Sequence, residues 1–91
     1  MKVLALLGIF ALVLGAQKTV SDDEIFDNVR RRLAGDPEVK GARFDVTVKQ
    51  GVVTIRGKVD KEKYKHKAQR LASREKGVKK VINELRVDPT P

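Results

Sequence analysis

The sequence predicts an α+β domain of order α-β-β-α-β, a three-stranded mixed sheet with two helices packed on one face. Three observations carry this. From Phe44 to Val59, Phe44, Val46 and Val48 alternate with Asp45, Thr47 and Lys49, and after Gln50-Gly51 the residues Val53, Ile55 and Val59 alternate with Thr54, Arg56 and Lys58. A period of two gives each strand one buried and one wet face, and Gly51 supplies the positive φ of a tight reversal, so the stretch is a β-hairpin. Ahead of it Ile25, Phe26, Val29 and Leu33 recur at helical spacing, and behind it a basic helical stretch leads into Val78, Val81, Leu85 and Val87.

Taken in order, the chain begins with Lys2 and an apolar run from Val3 to Val13 that continues through Leu14-Gly15-Ala16 and stops at Gln17-Lys18. A comfortable membrane-spanning helix needs about 20 apolar residues. This run is shorter and ends in small residues, so residues 1–16 read as a secretory signal peptide, cleaved after Gly15 or Ala16. The alternative is an uncleaved N-terminal anchor. Leu14-Gly15-Ala16-Gln17 resembles a lipoprotein box, but Gln17 stands where the lipid-bearing Cys is required, and no lipid anchor is expected. Export to the periplasm or envelope would permit disulfides, yet the chain has no cysteine, so its core alone must hold it. At roughly 75 residues after cleavage, that core leaves only a few kcal/mol of net stability.

Residues 17–20 are a lead segment. The Ser21 hydroxyl then caps a helix while Glu24 reaches back, and Asp22 and Asp23 oppose the positive end of the helix dipole. Those carboxylates are a first turn, not a catalytic pair. Gly35 and Asp36-Pro37 end the helix, and residues 38–42 form a loop before the hairpin. Asp60 is the expected N-cap of a second helix from Lys61 to Lys76, closed by Gly77, with Tyr64, Ala68, Leu71 and Ala72 on its apolar side. The third strand follows, and residues 89–91 are a tail. A crossover of this length favours a right-handed connection, which makes the second and third strands parallel. Both helices must share a face, because Arg43, Asp45, Lys49, Arg56, Lys58, Glu84 and Arg86 make the other face charged, with interspersed signs. Gly57 and Asn83 are exceptions at inward positions: the glycine implies a close approach there, and Asn83 needs a hydrogen-bond partner.

Gln50-Gly51-Val52-Val53-Thr54-Ile55-Arg56-Gly57-Lys58-Val59, then a helix with Ala68 and Ala72, then Gly77-Val78-Lys79-Lys80-Val81-Ile82-Asn83-Glu84-Leu85-Arg86-Val87 together resemble a BON domain, the family named for bacterial osmotic-stress and nodulation members. The resemblance covers residues 21–88 and includes the acidic opening helix. It implies an exported or membrane-associated domain that binds phospholipid surfaces and supports the cell envelope under stress. Family members often carry two such domains, and this chain has room for one.

The charge pattern can be read beside that implication. The chain has 20 basic and 12 acidic residues, a formal net charge of +8 that falls by one without Lys2. This favours anionic partners. Lys63, Lys67, Arg70 and Arg74 recur along one side of the second helix, Lys61, Lys65 and Lys76 lie on the other flank, and Lys79 and Lys80 follow. The first group with Lys79 and Lys80 is the candidate contact for anionic lipid, as a basic amphipathic element. Its plain alternative is a set of cationic stems that keep a core-packed helix soluble. Arg30, Arg31 and Arg32 form a secondary cluster, but successive helical residues point about 100° apart and cannot act as one patch. A nucleic-acid-binding module is the weaker reading, because Phe26 and Phe44 fall at core positions and leave only Tyr64 for stacking. A protein-binding or chaperone-like module that takes a partner strand at a sheet edge is the other alternative. No enzyme is expected. His66 is the sole histidine and faces solvent among cations, and neither a metal set, a cofactor site nor a nucleophile with its base can be assembled.

Overall fold

The structure is a computed structural model that describes residues 19–89. The signal peptide expected at residues 1–16 lies outside them. Helix α1 spans Asp22–Ala34, strands β1 and β2 span Asp45–Lys49 and Val52–Val59, helix α2 spans Glu62–Ser73, and strand β3 spans Lys80–Val87. The strand order is β1-β2-β3, with β1 antiparallel and β3 parallel to β2, as the hairpin and the crossover demand. The expected α-β-β-α-β order and mixed sheet are therefore present. Among the described residues no helix is long and apolar enough to cross a membrane.

Ser21 and Glu24 form the expected capping box: the Glu24 N–H donates to the Ser21 hydroxyl at 3.2 Å and the Glu24 carboxylate receives the Ser21 N–H at 3.4 Å. Helix α1 then buries Ile25, Val29 and Leu33, while Phe26 sits half-buried at the margin. At the hairpin, Gln50 and Gly51 both take positive φ, 50° and 80°. That pair makes the two-residue reversal whose twist matches the strands. Asp22 closes the turn from outside, its carboxylate receiving the Gln50 N–H at 2.8 Å and the Gly51 N–H at 3.0 Å. The helix start and the hairpin are thus joined by a residue whose sequence position suggested only a dipole role.

The core gathers between the helices and the inner sheet face. Val46, Val53, Ile55, Val59 and Leu85 come from the strands, Ala68 and Ala72 from α2, and Phe44 from the approach to β1. Gly57 meets the Phe44 ring, and a Cβ there would lie 2.6 Å from Phe44 Cδ1. Asn83 finds the partners its inward position requires. Its amide donates to the Lys65 carbonyl at 2.9 Å and to Gln69 Oε1 at 3.2 Å, and its Oδ1 receives the Leu85 N–H at 3.1 Å.

Four local expectations are corrected. Helix α2 is shorter than Lys61–Lys76, because residues 74–77 tighten into turns, with the Glu75 N–H on the Ala72 carbonyl and the Val78 N–H on the Glu75 carbonyl. Its N-cap is Lys61, not Asp60, and Lys61 offers no side-chain cap. The third strand begins at Lys80, not Val78, which instead packs half-buried beside the core. Residues 38–42 are more than a loop: Val39 is 2% exposed and fills the core, and Gly41–Arg43 make a 3₁₀ turn. The Asp36 carboxylate produces that inward turn by receiving the N–H groups of Glu38 and Val39 at 2.9 and 3.0 Å.

Candidate functional site

At 100° per residue, Lys63, Lys67, Arg70 and Arg74 fall within about 60° of arc, roughly opposite Ala68 and Ala72. Burial of the two alanines against the sheet therefore aims the basic group away from it. Lys63, Arg70 and Arg74 are exposed, and the Lys63 ammonium sits 5.6 Å from the Tyr64 ring centroid. Lys61 approaches the same ring at 5.8 Å. The ring holds both stems across the helix start without neutralising their charge.

Lys67 differs from its neighbours. Its ammonium lies 2.7 Å from Glu38 Oε1 and 3.0 Å from Asp36 Oδ2, so the loop after α1 folds over α2 and takes this cation. The Val39 N–H and then the Lys67 ammonium hold the Asp36 carboxyl below its ordinary value. Glu38 and then Asp36 raise Lys67 above its own. The ridge read from the sequence is in space three cations without an ion pair among the described residues, around one neutralised position.

The remaining candidates disperse. Lys79 lies beside Gln50, Gly51 and Lys76 along a groove of about 910 Å³ that also carries Asp22 and Glu24. Lys80 points to the outer sheet face, since its neighbour Val81 packs against the core, and is not part of the α2 group. The arginine triplet separates as expected: Arg30 lies over the Phe26 ring at 5.5 Å, Arg31 donates to Asn28 Oδ1 at 3.4 Å, and Arg32 binds Glu75 at 2.9 Å across the helix pair. Arg31 and Arg32 border a cleft of about 370 Å³ between the helices, but Asp36 and Glu75 border it too, so its field is mixed.

His66 pairs with Glu62 one helical turn away at 3.4 Å, both exposed. Among the described residues no group of His, Cys, Asp and Glu is arranged to hold a metal ion. Sequence reasoning missed the acids that matter most here, Asp36, Glu38 and Glu75. They meet Lys67 and Arg32 only because the loop and both helices converge, and no local spacing signals that.

The comparisons with known proteins agree with the architecture. The family model described as BON domain matches residues 21–89. A search of curated proteins finds no significant match to the chain.

Proposed function

The chain belongs to the BON domain family, whose model covers nearly all of its described residues, and from that premise we propose that it is an exported, non-enzymatic domain that associates reversibly with anionic phospholipid and supports envelope integrity under stress. The observation that carries this reading is the common outward direction of Lys63, Arg70 and Arg74 on α2. The family's general association with membranes supports it. At about 1 kcal/mol per basic residue near an anionic leaflet, the three cations supply on the order of 3 kcal/mol. Such binding is weaker than millimolar and strongly salt-dependent. Residence at a membrane then draws on further contacts: Lys61, Lys79, or an N-terminal anchor if residues 1–16 are retained.

Co-sedimentation with vesicles tests the proposal. The protein binds phosphatidylglycerol-containing vesicles at low salt, releases them at high salt, and ignores phosphatidylcholine vesicles. The triple variant Lys63→Glu/Arg70→Glu/Arg74→Glu loses binding, whereas Lys67→Gln changes it little, because Asp36 and Glu38 already neutralise that charge. Equal binding to both vesicle types, or binding untouched by the triple reversal, overturns the reading. A protein contact of another kind than strand addition has a separate observation in its favour, the outer face of the sheet, on which no element packs among the described residues.

A further inference from the structure

Both helices cover the inner face of the sheet, and among the described residues no element packs on the outer one. The register sorts that outer face into rows across the strands. Lys49, Val52 and Lys80 form one row, Thr47, Thr54 and Ile82 the next, and Asp45, Arg56 and Glu84 the third; Lys58 and Arg86 make a fourth row at the far end, where Lys58 pairs with Asp88 at 3.6 Å. The flanking rows carry lysines at β1 and β3 on one side and carboxylates at the same two strands on the other. The row between them is uncharged. Its Ile82 is 36% exposed, one of only two large apolar side chains so exposed among the described residues.

We infer that this face is a contact surface for a second copy of the chain, packed sheet to sheet about a two-fold axis that runs across the strands along the Thr47, Thr54 and Ile82 row. A self-complementary surface is what a two-fold contact requires. An in-plane two-fold axis that stacks this face on itself with strands aligned runs either along the strands or across them. The axis parallel to the strands sets each row against itself, lysine on lysine and carboxylate on carboxylate. The axis along the neutral row exchanges the flanking rows, so Lys49 meets the second copy's Asp45 and Lys80 meets its Glu84. Thr54 meets Thr54 at the centre, Ile82 meets Ile82 over the β3 edge, and the Arg56 stem lies over Val52. Arg56 keeps its own bond to Glu84, at 2.6 Å within the chain.

Packed sheets are rotated by about 30°. For Lys49 and Lys80, two residues from the axis and one strand from the centre, this displaces facing side chains by about 4–5 Å, within the reach of a lysine. The charge pattern thus selects one arrangement and penalises its competitor. The alternative pairing at the β3 edge is opposed by Asn83, whose side chain already occupies the Leu85 N–H. A face three strands wide buries little area, so the contact belongs to the weak, concentration-dependent class.

Sedimentation velocity of the protein over a concentration series, at low and high salt, tests the contact. The expected result is a monomer–dimer equilibrium that salt shifts toward monomer. Lys49→Glu and Asp45→Lys each raise the dissociation constant about tenfold or more, since each puts like charges together twice across the axis. The double variant Lys49→Glu/Asp45→Lys restores association, because the charges are exchanged and the complementarity is kept. Neither residue makes an ion pair among the described residues, so monomer stability should hold, which circular dichroism melts verify. Monomer at every concentration, or a dimer indifferent to either single variant, or failure of the double variant to recover, overturns the inference. The α2 triple reversal lies on the opposite side of the molecule and should leave this equilibrium unchanged, so failure of the lipid reading and failure of this one are separable.

Discussion

Gly57 holds a backbone conformation that few other residues could share, with φ of +151° and the Phe44 ring pressed where a side chain would begin. Gly57→Ala adds one methyl to a filled space and strains the backbone together. It is expected to cost about 1–3 kcal/mol, read from the urea midpoint. An unchanged midpoint would show that the ring yields freely. This position could be read from the chain, because a glycine in the inward register of a strand implies a close approach. The identity of the approaching group needs the hairpin register as well: with Asp45 paired to Arg56, Phe44 stands directly opposite Gly57. Asn83 was half-legible in the same way: its need for partners followed from its register, but the Lys65 carbonyl and Gln69 become its partners only when α2 settles beside β3.

At the scale of elements, the two helices begin differently. Helix α1 has a complete capping box, and α2 starts at a lysine with no side-chain cap. Ser21→Ala should therefore cost about 0.5–2 kcal/mol, and Lys61→Ser should gain up to about 1 kcal/mol by supplying the missing acceptor. Chemical denaturation of both variants gives the comparison, and a destabilised Lys61→Ser would mean that the Lys61 stem on Tyr64 outweighs a cap. Periodicity made the helices and strands legible because each element's apolar spacing is set by its own geometry. The boundaries of α2 were not, because its last residues are drawn into turns that align β3 with β2 and let Glu75 reach Arg32. The same limit applies to the basic ridge. Its spacing was visible in the chain, and its loss of Lys67 to a loop about 30 residues earlier was not.

For the whole molecule, the contacts of Asp36 make stability depend on acidity. Its folded carboxyl titrates below the ordinary value, so its contribution is present above that value and is lost as pH falls through the lowered one. Lys67 works in the opposite sense, contributing below the ordinary lysine range and losing its effect only as pH rises through its raised value. Asp36→Asn should therefore be destabilised relative to the parent near neutrality, and the two should converge in acid well below pH 4, as thermal melts across pH would record. A constant gap down to the lowest pH would assign the effect to the turn geometry alone. The molecule is thus fastened at one end by the Asp36, Glu38 and Lys67 group and at the other by Asp22 on the hairpin turn, while the sheet's outer face and the α2 cations remain available.

The parallel pairing of β3 with β2 has a consequence for the chain as it is made. Strand β1 reaches β2 through a two-residue turn, but β3 reaches it only after the whole of α2 has crossed the sheet. Until residues 80–87 emerge, one edge of β2 has no backbone partner, Leu85 is absent from the core, and the space under Ala68 and Ala72 is open. A polypeptide delivered N-terminus first, whether from a ribosome or through a translocation pore, cannot complete this domain before its last strand is free. The closing step of the fold is written in residues 80–87.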